Sequence, residues 1–254
     1  MEWLPFVEDC RSYFDAGREN SLFPLVEAVD RLYRIVPEKA PFPRSAANDQ
    51  STDSFDRCFF VCHRAFLSSA MLIAGSLPED GEALTRRALE AAKTCLAIKI
   101  DPANGDAWLA LEARLKRLRN RAAGRKPEPL HINYKKVKLE PLYQEVDREI
   151  GILSDFSVHF TPEFFGRYEW EEKPRPDGGF TINFGLMKGA VEMGFLMLCK
   201  HHELIIRVFD RCQDGGVLQN ADVRDALLQV YESHDHYRQL VEPTLKVMIA
   251  ELKP

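Results

Sequence analysis

The chain has 254 residues, 45% hydrophobic and 29% charged, which suffices for one large core or two modest ones without covalent staples. Its 34 Lys and Arg against 39 Asp and Glu give a net charge of -5, which excludes a molecule-wide basic field that would hold it on nucleic acid or anionic lipid. The start, MEWLPFVEDCRSYF, lacks the cationic and apolar regions of a secretory signal, and the apolar stretch Phe184 to Cys199 is broken by Lys188 and Glu192, so a cytoplasmic protein without a membrane span is expected.

Apolar residues recur at three and four along nearly every segment, which predicts an all-α protein. Trp3, Phe6, Val7, Cys10 and Phe14 mark a first helix, and Leu22, Leu25, Val26, Val29, Leu32 and Val36 a second that stops before Pro37. Three prolines and a run of small polar residues then predict a loop near 37–50. Ser51, Thr52 and Asp53 offer caps for a long helix to about Ala74, apolar on more than one face and therefore central.

Leu77 to Gly81 reads as a turn, and 82–100 as a helix rich in Ala, Leu, Glu and Arg. A helix from about Ala103 to Arg121 follows, then a solvated linker near 120–138 where the apolar pattern lapses. Helical spacing returns with Leu142, Val146, Ile150 and Leu153 and runs to about Phe160. Alternation around Tyr168 and Trp170, turn chemistry from Pro174 to Gly179, and alternation again at Phe180, Ile182 and Phe184 predict a short β-hairpin or extended flap near 168–184. Helices from about Gly185 to Cys212 and Asn220 to Leu252, the latter kinked at Pro243, close the chain. The sum is a single domain, 1–254: an irregular antiparallel bundle of seven or eight helices.

Cys10, Cys58, Cys62, Cys95, Cys199 and Cys212 form no CxxC pair and no regular framework, so reduced thiols packed in a core are expected. CFFVCH, at Cys58 to His63, misses the haem-attachment pattern by one residue. Neither His201, His202 and Glu203 nor His234 and His236 has the spacing of a metal site, and no metal or cofactor is expected. The basic stretch Lys116 to Lys126, followed by Lys135, Lys136 and Lys138, permits nucleic-acid contact, but a solvated helix end explains it as well and is the preferred reading.

Arg86 and Glu90 stand one turn apart, with Lys93 further along the same face. A common surface pair is one explanation. The other is a polar cluster at the base of a pocket, joined by Ser154 and His159. The Ala- and Leu-rich surroundings lead us to expect at least partial burial of the Arg86–Glu90 pair. Ser154, Asp155, Ser157 and His159 lack a nucleophile elbow and do not support serine catalysis. Arg148 to His159 and Arg224 to His234 are spaced too widely for a HEPN-type ribonuclease step.

LTRRALEAAKTCLAIKIDP, read with LSDFSVH, resembles a family of uncharacterised bacterial helical proteins that carry an Arg-x-x-x-Glu helix and a Leu-Ser-x-x-x-x-His segment. The resemblance implies a helical bundle without an established activity, with Arg86, Glu90, Ser154 and His159 at the matching positions. AAKTCLAIKIDPANGDAWLALEARL is similar to one junction of a tetratricopeptide repeat, but a solenoid needs about three copies. The favoured function is a non-catalytic interaction or regulatory protein that presents a groove or homodimer face. The alternative is a nucleotide- or RNA-binding domain or enzyme with Arg86, Glu90 and His159 converging in a pocket.

Overall fold

A computed structural model describes residues 22–39, 50–105, 118–125, 134–155, 168–174, 180–186 and 190–232, with Ser12, Asp15, Glu19, His234, Asp235 and Gln239. It is an all-α helical bundle carrying one β-ribbon. The elements are α1 (Phe23–Lys39), α2 (Gln50–Ala74), α3 (Pro78–Ile100), α4 (Pro141–Leu153), β1 (Tyr168–Pro174), β2 (Phe180–Leu186), α5 (Ala190–Cys212), α6 (Gly216–Gln219) and α7 (221–232).

Helix α3 packs on both α2 and α5, which also touch each other, while α1 and α4 flank this centre. The apolar periods account for the arrangement. Leu25, Val29, Leu32 and Val36 of α1, Cys58, Cys62, Phe66 and Ile73 of α2, and Ala88, Ala92, Cys95 and Leu96 of α3 are buried in one continuous core. Phe195, Cys199, Ile205 and Phe209 join it from α5.

The α2–α3 contact is close because Gly81 has no side chain: a Cβ there would sit 2.8 Å from Ile73 Cγ1 and 2.9 Å from the Ser69 carbonyl oxygen. Ser69 Oγ donates to the Gly81 carbonyl at 2.7 Å, and Thr85 Oγ1 lies 3.0 Å from the same oxygen. The tight helix pair is thus tied by hydroxyls that would otherwise be buried without partners.

Several boundaries move. Helix α1 continues through Pro37 to Lys39, since a proline in the final turn removes only one backbone donor. The turn expected at 77–81 is instead the first turn of α3: Pro78 is pre-organised for a helix start, and Glu79 and Asp80 complement its dipole. Gly185 and Leu186 belong to β2 rather than to the following helix, and the ribbon is antiparallel from Tyr168 opposite Leu186 to Pro174 opposite Phe180. The linker expected at 120–138 is only partly one: Val137 is fully buried, and Tyr134 packs against Tyr143. The first expected helix apart from Ser12 and Asp15, the core of the 103–121 helix, the 40–49 loop, the ends of the helices expected to run to Phe160 and Leu252, His159, Cys10 and Pro243 lie outside the described residues.

Candidate functional site

The sequence-named polar residues sit on α3 and at the end of α4, and they divide into separate contacts. Arg86 Nη2 lies 3.2 Å from Glu90 Oε1, with side chains 30% and 50% exposed, so the pair lies at the rim of the bundle rather than inside it. The inward stripe of α3 is Ala88, Leu89, Ala92, Cys95 and Leu96, which turns positions 86 and 90 toward its edge. Arg86 Nε is itself inaccessible and has no partner among the described residues.

Lys93 is engaged elsewhere. Its ammonium binds Asp147 of α4 and stands 4.9 Å from the Tyr143 ring centre and 5.2 Å from that of Tyr134. Burial works against its charge, but the Asp147 and Tyr143 contacts outweigh burial and raise its pKa. The cation is therefore held by its own chain. Ser154 Oγ donates back to the Ile150 carbonyl at 2.6 Å, a local helix-end contact. The structure brings Arg86 to Glu90 and leaves Lys93 and Ser154 in separate contacts of their own.

A second polar group crosses the core; the sequence drew notice to its His201 and His202 only as a question of metal binding, and to its Glu149 and Tyr33 not at all. Glu149 of α4, only 2% exposed, accepts from His201 Nε2 of α5 at 3.1 Å and from Arg148 Nη2 at 2.9 Å, with Lys200 Nζ 3.3 Å away. The His201 hydrogen bond is the main cause that lowers the Glu149 carboxyl to about 2, against a burial effect of opposite sign. An ionised Glu149 requires the His201 proton on Nε2. His201 Nδ1 is then buried without a partner among the described residues.

The next residue, His202, meets the Tyr33 hydroxyl of α1 through Nδ1 at 2.6 Å. Burial, followed by the nearby His201 and His63, pushes His202 well below the usual imidazole range, and burial raises Tyr33. Both are neutral at pH 7, and in either tautomer His202 Nε2 lacks a partner among the described residues. His63 of α2 stacks on the Tyr33 ring at 5.0 Å and 5° and binds Asp30 at 2.7 Å. The sequence signal for this network is a polar residue on an apolar stripe: Glu149 shares a face with Val146 and Leu153, and the His pair interrupts Leu198, Cys199, Leu204 and Ile205.

Among the described residues no three His, Cys, Asp or Glu side chains gather as a metal ion would require. The described part of the basic stretch, Arg119 to Arg125, is largely exposed, and Lys136 pairs with Asp101 at 3.0 Å.

The third feature is apolar. Phe60 and Met71 of α2 are each 60% exposed and Leu67 39%, on the side opposite Cys58, Cys62, Phe66 and Ile73, while Val61, 48% exposed, lies on the flank. The Arg64 guanidinium lies 6.0 Å from the Phe60 ring centre within this stripe. By length and composition Phe55–Ala74 is apolar enough to cross a membrane, with mean hydropathy 1.3, but 44% of its most apolar window is buried inside the bundle. No family model, curated protein or solved structure matches the chain, so neither resemblance drawn from the sequence gains a relative.

Proposed function

We propose that this chain is a non-catalytic interaction protein of the cytoplasm that docks a protein partner on the outward face of α2. The observation that carries the reading is the exposure of Phe60, Leu67 and Met71, with Val61 on the flank, on a helix whose opposite face is already committed to the core. An open apolar stripe of this kind, crossed by Arg64, marks an interaction surface. The cation that would anchor an anionic ligand at the rim of α3, Lys93, is occupied by Asp147 and two tyrosine rings, and Arg86 is partly neutralised by Glu90. That favours the interaction reading over a nucleotide site. The buried free thiols Cys58, Cys62, Cys95, Cys199 and Cys212 support a reducing compartment.

The test is site-specific photocrosslinking in cells, with a benzophenone side chain at position 67 and, as a control, at the more exposed Leu139. Discrete adducts from position 67 that Met71→Glu abolishes, and none from position 139, are the expected result. No adduct from position 67, or adducts indifferent to Met71→Glu, would remove the reading.

A further inference from the structure

Resting on that reading, we propose that the occupant of the α2 face is a second copy of this chain, docked α2 against α2 in antiparallel register about a two-fold axis. The stripe is Phe60, Arg64, Leu67 and Met71, so its spacing runs four, three, four. That spacing is the 3–4 alternation of a helix–helix seam, and it reads the same in both directions. An antiparallel copy therefore meets it position for position: Phe60 falls opposite Met71, and Arg64 opposite Leu67, twice over.

Charge selects this register. A parallel pairing would set Arg64 against its own counterpart on an apolar seam, and like charges facing each other there are strongly disfavoured. The antiparallel pairing offsets the two Arg64 by three residues, about 4.5 Å along the axis, and gives each an apolar neighbour along which its methylene stem can lie while the guanidinium reaches water. That guanidinium is already drawn along the stripe toward Phe60. Thioether against aromatic ring, as in Met71 opposite Phe60, is a favourable contact in its own right.

Area points the same way. With side chains of roughly 200 Å² each, exposures of 60, 39 and 60% at Phe60, Leu67 and Met71 leave on the order of 300 Å² of apolar surface open. A standard interface buries about 800 Å² per partner, a little over half of it non-polar. The stripe supplies most of that non-polar share, and a two-fold contact uses it on both sides at once. A lipid occupant fits less well, because Arg64 sits in the middle of the stripe and the inner face of the helix cannot leave the core.

Sedimentation equilibrium of the full chain across the micromolar range reads the stoichiometry. The expected result is reversible growth toward twice the 29.1 kDa chain mass, with the dissociation constant raised at least tenfold by Met71→Glu and circular dichroism unchanged. Register is read by disulfide crosslinking: Phe60→Cys and Met71→Cys chains should form a cross-linked dimer when mixed, and neither should do so alone. A monomer at every concentration, crosslinking of Phe60→Cys chains alone, or Met71→Glu-sensitive binding to phosphatidylcholine–phosphatidylserine vesicles would each overturn the proposal. If the wild type is monomeric yet position 67 crosslinks to a different protein in cells, the interaction reading stands and the second copy falls.

Discussion

Glu149 and His201, 52 residues apart in the chain, meet in the core at 3.1 Å, where α4 crosses α5. Neither side chain has meaningful contact with water. Removing one partner of such a pair leaves the other charged or polar group buried and unsatisfied, whereas replacing both removes the desolvation cost as well. Glu149→Ala is expected to lower stability by about 3 kcal/mol, and the double change Glu149→Leu with His201→Leu to cost less than either single change. Urea unfolding of Glu149→Ala, His201→Ala and the double Leu variant checks this ordering.

Acid should weaken the fold from pH 6.5 downward. The unfolded His202 imidazole takes a proton below about 6.5 while the buried one stays neutral, so the unfolded state binds more protons and stability falls with falling pH. Glu149 adds an effect of the same sign below 4.5: its contribution is complete above that pH and is lost as the pH drops toward 2. Each proton contributes a slope of up to ~1.4 kcal/mol per pH unit. His202→Phe should flatten the dependence between pH 6.5 and 4.5 and leave the steeper fall below it. An unchanged slope in that variant would show that His202 is not buried neutral.

At Gly81 α3 lies so close to α2 that a Cβ has no room. Gly81→Ala places a methyl group within 3 Å of the Ser69 carbonyl oxygen, which belongs to a helix backbone and cannot swing aside. Helix propensity alone would favour alanine by about 1 kcal/mol, and overpacking opposes it by typically 1–3 kcal/mol. A net loss in thermal stability is expected. A rise in the melting temperature would mean that the helices separate more easily than this contact allows.

Cys58, Cys62, Cys95, Cys199 and Cys212 are all buried, and burial raises the thiols of Cys62, Cys95 and Cys199 and pushes that of Cys212 up to about 12. Thiolate is the reactive form, so each should react with a maleimide in the native protein only as fast as the chain opens. Mass spectrometry of timed reactions, residue by residue, reads the rates.

Much of this architecture is legible in the sequence because helices announce themselves by period. The long α2, the ribbon near 168–184 and the core thiols follow from spacing alone, but the two apolar faces of α2 read as a central helix, whereas one of them is open and α3 takes the centre. Boundaries failed where one residue carries two meanings. Gly81 reads as a turn but serves as a contact point inside α3, and Pro37 reads as a stop but falls in a last turn that tolerates it. The site was less legible. Arg86 and Glu90 stand out as a charged step on an apolar helix, yet their exposure depends on which face of α3 turns inward, and that is decided by α2 and α5. Each single alanine change there should cost under about 1 kcal/mol, in place of the larger loss expected of a buried pair. The Glu149–His201 and Tyr33–His202 contacts join residues 52 and 169 apart, distances at which spacing along one helix carries no information.

Helix α2 carries two apolar faces, one buried in the core and one open, and the proposed function assigns the open one to a partner. The most direct test is the unfolding free energy, in dilute solution, of the double variant Phe60→Glu with Met71→Glu. If the outer face serves association, the isolated chain should lose no more than about 0.5 kcal/mol, the range of an ordinary surface change. A loss of about 2–5 kcal/mol, the scale of a core truncation, would place that face inside the protomer and contradict its role as a docking surface.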